Sequence, residues 1–485
     1  MNDKKTGTCQ TLLVAAAAAL LAASAGAKIA AVTPTGYAPG GWQVKTRLPE
    51  IRQNIAQGGD VVFIGDSINN GWIQPGRGPA QWKKYFCGEP YRGICLGVSS
   101  DRTEHVLWRL TEDGELDGYE AKCVFLMIGT NNAGHKKFAD EPPADTILAI
   151  REILKVIRQK QPGAVVVLTA IFPRGKDAND AVRLRNEVVN REIFRLADGE
   201  TVFWMNFNDQ LVDAKGDTQF VMRDRLHPGG AGYEAWYAAA KPFIDWARSD
   251  RKGPRPKQGP RPAALAADEP EAVRPVSRIS PRQPWWADRL ERNRNQISEA
   301  KGEIDLVFFG DSITHNWEGK DQGAASLAEL RKTYSVLNIG YGGDRTQHLV
   351  WRGENGELDG YRAKCIMLMI GTNNPDPAED VATGVRRILD IIARKQPQAK
   401  TLLLPIFPRG APDDPRRAKN ERANALIKGF ADGEKVVWVD FNAKFLDARG
   451  DVKWCMPDRV HPNAEAYRDF WLPAVLPHFK AICGK

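Results

Sequence analysis

VVFIGDSI at Val61–Ile68 returns as LVFFGDSI at Leu306–Ile313. Each is an unbroken apolar run that ends in Gly-Asp-Ser. An apolar run without polar alternation reads as a strand buried on both faces, hence a parallel strand of an α/β sheet. The Gly-Asp-Ser then falls at the strand's carboxyl end, the edge at which open α/β sheets bind ligands. Three more segments recur in the same order, about 240 residues apart. GVSSDRTEHVLWR (Gly97–Arg109) pairs with GYGGDRTQHLVWR (Gly340–Arg352). FLMIGTNN (Phe125–Asn132) pairs with LMIGTNN (Leu368–Asn374), and DRLHP (Asp224–Pro228) with DRVHP (Asp458–Pro462).

Further apolar runs give strand candidates at Val124–Ile128, Val165–Ile171 and Val202–Phe207 in the first copy. In the second they fall at Ile366–Ile370, Thr401–Ile406 and Val436–Phe441. Amphipathic segments such as Ala144–Gln161 and Val381–Gln396 lie between them and read as helices. Strands alternating with helices predict a doubly wound α/β fold with parallel sheets and helices on both sides, once per copy. A chain of 485 residues has room for two such domains. They are placed at 30–247 and 285–485. Residues 248–284 are rich in proline and charge and poor in large apolar side chains, which predicts an extended linker. Two near-equal domains on such a linker are expected to pack as an internal pseudo-dimer.

Residues 1–27 carry Lys4 and Lys5, an apolar run from Leu12 to Ala23, and small residues at Ala23-Ser24-Ala25 and Ala25-Gly26-Ala27. The run is short for a membrane span and fits a cleavable secretory signal. The expectation is therefore an exported chain, secreted or periplasmic, with no stable membrane insertion after cleavage. The net charge of +8 does not imply nucleic acid. Nine Lys or Arg against four Asp or Glu lie in 248–284, so the folded domains themselves carry almost no excess charge. Of seven cysteines, Cys123 and Cys365 take matching places beside the GTNN strands and read as buried apolar residues. Cys87 with Cys95, and Cys455 with Cys483, are close enough to pair in an oxidising compartment, a choice that spacing leaves open. No CxxC pair or HExxH helix is present, so no structural or catalytic metal is expected.

The recurring residue types suit acyl transfer. A serine hydroxyl attacks poorly until a base removes its proton. Ser67 and Ser312 are the candidate nucleophiles, and His227 and His461 the candidate bases. Asp224 and Asp458, three residues upstream of the histidines, can hold one imidazole nitrogen and leave the other for the serine. A tetrahedral intermediate needs donors for its oxyanion. The serine N–H, the backbone at Gly342-Gly343, and the side-chain amides of Asn131 and Asn373 are candidates.

Together these residues resemble the GDSL, or SGNH, hydrolase superfamily, in which four blocks contribute Ser, Gly, Asn and His. GGDRTQHLVWR, GELDG, GTNN, IFPRG and DRVHP are similar to the catalytic subunits of intracellular platelet-activating factor acetylhydrolase and to exported bacterial carbohydrate acetylesterases. The resemblance implies two three-layer α/β/α, flavodoxin-like domains that hydrolyse esters without metal or cofactor. It implies nucleophiles Ser67 and Ser312, acid–base pairs Asp224–His227 and Asp458–His461, and an oxyanion hole at Gly343, Asn131 and Asn373. The first copy departs from the pattern, with Ser100 where the second has Gly343. A β-carbon disfavours backbone conformations that glycine allows, so the first site is expected to be slower or to take another substrate.

Other recurring residues read more plainly. His105 and His348, and Trp108 and Trp351, are expected to pack. Trp72 and Trp317 are expected in the core rather than under a sugar, and Arg174 and Arg409 of IFPRG sit near the active edge. The predicted function is removal of small acyl groups, acetyl above all, from carbohydrate esters. A lipid or phospholipid acetylhydrolase is the second reading, and a non-catalytic polysaccharide-binding module the third.

Overall fold

The computed structural model describes residues 29–135, 141–218, 221–222, 224–262, 270–300 and 302–485. The expected signal segment lies outside them. Two units form, each with its own sheet.

In the first unit the strands are β1 (Val61–Gly65), β2 (Cys87–Gly88), β3 (Tyr91–Gly97), β4 (Cys123–Met127), β5 (Val165–Thr169) and β6 (Val202–Met205). Their order is β2-β3-β1-β4-β5-β6. All neighbours are parallel except the short β2, which runs antiparallel to β3. Val61, Val62, Phe63 and Ile64 are all buried, so both faces of β1 are covered, as its unbroken apolar run requires. One face packs Phe63 against Trp72, Tyr233 and Trp236, the last two from the helix Gly230–Arg248. The full burial of Trp72 contributes on the order of 2–3 kcal/mol. The other face is covered by the helices Thr103–Thr111, Pro143–Lys160 and Ala181–Ile193.

In the second unit the strands are β7 (Glu303–Gly310), β8 (Val336–Gly340), β9 (Arg362–Met369), β10 (Lys400–Leu403) and β11 (Val436–Trp438), ordered β11-β10-β9-β7-β8 and all parallel. Apart from β2, both units share the flavodoxin-like order 2-1-3-4-5, whose ligand site lies where the order reverses. At that point the register is level. Gly65 stands beside Gly97 and Met127, and Gly310 beside Gly340 and Met369. Three motif segments therefore leave the sheet at one height. The close approach also fixes a residue type. A β-carbon on Gly65 would lie 2.1 Å from the Met127 carbonyl oxygen, and one on Gly310 would lie 2.4 Å from that of Met369.

The expected strands and helices form with shifted ends. β3 and β8, absent from the sequence reading, lead into the GVSSD and GYGGD segments. Arg92 and Gly93 interrupt one apolar run, and Asn338 the other.

The stretch 248–284, expected as a linker, is partly packed. Gly259 N–H donates to the Trp204 carbonyl at 2.9 Å, Gln258 accepts from Trp204 N–H, and the Trp204 indole donates to the Pro260 carbonyl. A segment that cannot fold alone thereby covers the edge strand β6. In the second unit, Thr346 Oγ1 donates to the carbonyl of Ala272, which lies in the short turn Glu271–Val273. Thr103 does the same to Ala31 in the first unit. The repeat thus begins upstream of residue 285, with a turn whose sequence is too short to signal itself.

All six cysteines among the described residues are free thiols. Cys87 is exposed while Cys95 is buried, so the local disulfide left open by spacing is not formed, and neither is Cys455–Cys483. Cys123 and Cys365 are buried as expected. No helix among the described residues is long and apolar enough to cross a membrane.

Candidate active sites

Each Gly-Asp-Ser turns from strand to helix within one residue. Asp66 caps the helix Ser67–Asn70, its Oδ1 accepting the Ile68 N–H at 2.9 Å, and Asp311 caps Ser312–His315 in the same way at 3.0 Å. Both aspartates are buried, and burial pushes each carboxyl up to about 7. At Asp311 the charge of Asp344 adds to the effect.

Across the same edge lies the DRxHP turn. Asp224 Oδ1 accepts the N–H groups of Leu226 and His227 at 3.1 and 2.7 Å, and Asp458 Oδ1 those of Val460 and His461 at 2.9 and 2.7 Å. The intervening Arg225 and Arg459 take left-handed backbone, with φ of 57° and 60°. Their carbonyls accept the N–H of Gly175 and Gly410 at 3.0 Å, which ties the IFPRG loop to this turn in both units.

The turn brings histidine to serine. Ser67 Oγ is 2.8 Å from His227 Nε2, and Ser312 Oγ is 2.9 Å from His461 Nε2. Asp224 Oδ2 and Asp458 Oδ2 are each 2.6 Å from their histidine's Nδ1. With the proton on Nδ1 the histidine donates to the carboxylate, and Nε2 accepts from the serine hydroxyl. A tyrosine on the following helical segment braces each arrangement. Tyr233 donates to the Ile68 carbonyl at 2.6 Å, and Tyr467 to that of Ile313 at 2.5 Å.

The electrostatics suit proton transfer. Burial lowers the His227 imidazole below its ordinary range, the hydrogen bond to Asp224 opposes this, and the charges of Arg77 and Arg174 add to it. Partial burial pushes Asp224 and Asp458 up. Their hydrogen bonds from the histidine ring and the turn N–H groups outweigh it and hold both below the usual carboxylate range.

The expected oxyanion groups are tied to one another in each unit. Ser100 and Gly343 immediately precede Asp101 and Asp344. The carbonyls of those aspartates accept an amide hydrogen from Asn131 at 2.8 Å and from Asn373 at 3.0 Å. One amide hydrogen fixes each asparagine and the second remains to donate. Ser100 has φ 70° against 72° at Gly343, so the backbone is held alike despite the β-carbon. Ser99, in the place of Gly342, accepts from Asn70 Nδ2 at 3.1 Å, which anchors this loop to the nucleophile turn.

The matches in the helix after DRT are structural. His105 Nδ1 accepts the Arg102 N–H and His348 Nδ1 the Arg345 N–H, at 3.1 and 2.9 Å. Trp72, Trp317 and Trp351 are buried, and Trp108 is half-buried. Arg174 and Arg409 reach the active edge, donating to the Thr130 and Thr372 carbonyls at 3.3 and 2.7 Å.

Other functional neighbours escaped the sequence reading. The buried Arg109 binds Asp101 at 2.9 Å, the Gly65 carbonyl at 3.2 Å, and Glu115, so it joins the strand end to the loop that carries Ser100. Arg352 repeats this with Asp344 at 3.0 Å, the Gly310 carbonyl at 3.3 Å, and Glu357. Their positions at matching places in DRTxHxxWR were the available signal. Arg77, whose Nη1 donates to the Ser67 carbonyl at 3.1 Å, has no repeat to flag it.

The family model for GDSL-like lipases and acylhydrolases matches residues 63–235 and 308–468. The chain belongs to this family. Its membership makes the chain an ester hydrolase. The platelet-activating factor acetylhydrolase IB subunit alpha1 of Pongo abelii is 35% identical over 202 residues, 40% of this chain and 84% of that protein. The human subunit alpha2 is 38% identical over 187 residues, 38% of this chain and 80% of that protein. Among solved structures, a GDSL-like lipase from Bacteroides thetaiotaomicron is similar with 22% identity and a TM-score of 0.34, covering 42% of this chain and 98% of that one. An acetylxylan esterase from Geobacillus stearothermophilus has 22% identity and a TM-score of 0.30, covering 37% and 95%.

Proposed function

We propose that each unit is a serine esterase and that the exported chain removes acetyl groups from carbohydrate esters at two sites. The observation that carries this reading is the duplicated Ser–His–Asp chain, Ser67–His227–Asp224 and Ser312–His461–Asp458, with no serine–histidine or histidine–aspartate distance above 2.9 Å. Serine Oγ attacks the acyl carbon while its proton passes to histidine Nε2. The oxyanion takes hydrogen bonds from the backbone at Ser100 or Gly343 and from the amide of Asn131 or Asn373. Histidine then protonates the leaving alcohol and the acyl-enzyme forms. A water gives a proton to the same nitrogen and attacks the acyl carbon, and histidine returns that proton to serine Oγ as the acyl–serine bond breaks, which frees the serine and a carboxylic acid.

Small acyl groups are favoured because the sequence has no long apolar lid segment. The Lys-led apolar stretch of residues 1–27 supports export. The relatives named as platelet-activating factor acetylhydrolase subunits favour a second reading, an acetylated lipid as substrate. Acetate release from a panel of acetylated glycans and acetylated lipids decides between them, measured for wild type, Ser67→Ala and Ser312→Ala. Glycan esters are expected to be turned over by wild type and by both single variants. Release confined to lipid esters would favour the second reading, and no release from either class would refute both.

A further inference from the structure

We propose that Arg77 makes the first site selective for esters that carry a carboxylate near the scissile bond, a selectivity the second site lacks. The proposal rests on the esterase reading above and assigns it a substrate class. Arg77 lies half-buried in the turn before the helix Pro79–Phe86. Its Nη1 donates to the carbonyl of Ser67 itself at 3.1 Å. Among the described residues no carboxylate pairs with its guanidinium, and Nε and Nη2 are neither hydrogen-bonded to protein nor sealed from water. A guanidinium with two donors open beside a nucleophile is suited to a bidentate grip on a carboxylate.

The second unit supplies an internal control. The turn after the serine closes the same way in both, Gly78 N–H donating to the Gly71 carbonyl at 3.0 Å and Gly323 N–H to that of Asn316 at 2.9 Å. Gly71 and Asn316 each stand four residues after their serine, so Arg77 and Gln322, each just before the glycine, occupy one position. Gln322 is uncharged and folds back over its own turn, its Oε1 only 2.1 Å from where a β-carbon on Gly319 would be. Arg174 and Arg409 are common to both sites, as are the buried and paired Arg109 and Arg352. A second cation near the second site, Arg416, is already paired with Asp414 at 2.6 Å. At this position the first site thus has a cation unpaired among the described residues and the second a neutral amide.

The test uses the full chain with one site silenced: Ser312→Ala reports the first site and Ser67→Ala the second. Three esters are compared by kcat/KM: acetylated methyl glucoside, acetylated methyl glucuronide with the carboxylate on the alcohol, and the hemisuccinate of methyl glucoside with the carboxylate on the acyl group. In the Ser312→Ala protein at least one charged ester should exceed the neutral one by about tenfold or more, mainly through KM. Arg77→Gln should abolish that ratio and Arg77→Lys should keep part of it. The Ser67→Ala protein should show no such preference until Gln322→Arg is added. The arm that responds says which end of the substrate carries the charge. Equal ratios at the two sites, or a ratio unmoved by Arg77→Gln, would overturn the proposal while leaving the esterase reading intact. Calorimetric titration of methyl glucuronide and of succinate into wild type and Arg77→Gln reads anion binding without turnover. Indistinguishable heats would overturn the proposal even if none of the esters were hydrolysed, a result that would by itself count against the esterase reading.

Discussion

Ser100 and Gly343 share one left-handed backbone conformation, with φ of 70° and 72°, although only glycine adopts it without strain. An L-residue there costs roughly 1–2 kcal/mol. The first unit bears that strain and holds the loop in the shape of the second, with Ser99 tied to Asn70. The backbone of this loop is therefore held alike at both sites, and the expectation of a slower first site, or one with another substrate, loses its backbone argument. In the Ser312→Ala protein, Ser100→Gly should change kcat by less than about threefold. It should also shift stability by no more than about 1 kcal/mol, strain relief being offset by the added chain entropy of glycine. A gain of 10²-fold or more, the worth of a missing oxyanion donor, would show that the loop is not preformed. Initial rates and thermal melts read both quantities.

Asn131 and Asn373 each use one amide hydrogen on the carbonyl of Asp101 or Asp344 and keep the other. Asn131→Ala in the Ser312→Ala protein, and Asn373→Ala in the Ser67→Ala protein, should lower kcat by about 10²–10³ with little change in KM. A lower melting temperature with kcat unchanged would make these asparagines turn braces only.

His227 should give the first site its acid limit. Burial lowers its imidazole below the ordinary value, so the neutral base persists to lower pH, and activity is lost only as pH falls through that depressed value. The acid limb of kcat/KM in the Ser312→Ala protein should therefore lie below pH 6.5. Arg77→Gln removes a cation that disfavours the imidazolium, so it should move the limb upward. A downward shift, or none, would contradict this electrostatic picture.

Asp66 and Asp311 should make stability fall with rising pH. Each folded carboxyl titrates near 7, whereas an unfolded aspartate titrates near about 3.9. The folded chain holds these protons more tightly. Their contribution is therefore complete below about pH 4 and lost as pH rises to about 7. Asparagine keeps the Oδ1 that accepts from Ile68 or Ile313. Asp66→Asn and Asp311→Asn should thus lose less melting temperature than wild type between pH 4.5 and 7.5, and parallel slopes would refute the assignment.

Much of this was legible in the sequence because the decisive contacts are either local or set by strand register. The histidine lies only three positions after its aspartate, and the strand before Gly-Asp-Ser is continuous enough to announce its burial. The strands β3 and β8 were not legible, since Arg92 and Asn338 interrupt runs already short. Arg109 and Arg352 read as ordinary helix residues, because nothing local says that Gly65 and Gly310 present carbonyls to them. Arg77 was hidden because the second copy has Gln322 in its place, and repetition was the signal that drew attention to the triads and the asparagines. The proline-rich stretch was legible as unable to fold alone, but composition does not reveal that Gln258–Pro260 would lie along the edge strand at Trp204.

Two complete serine sites should operate in one chain. Intact-mass analysis after reaction with a fluorophosphonate tests this most directly, because the reagent adds once to each serine activated by its histidine. Wild type should gain two adducts, Ser67→Ala and Ser312→Ala one each, and the double variant none. A single adduct on wild type, lost entirely in one of the two serine variants, would contradict it.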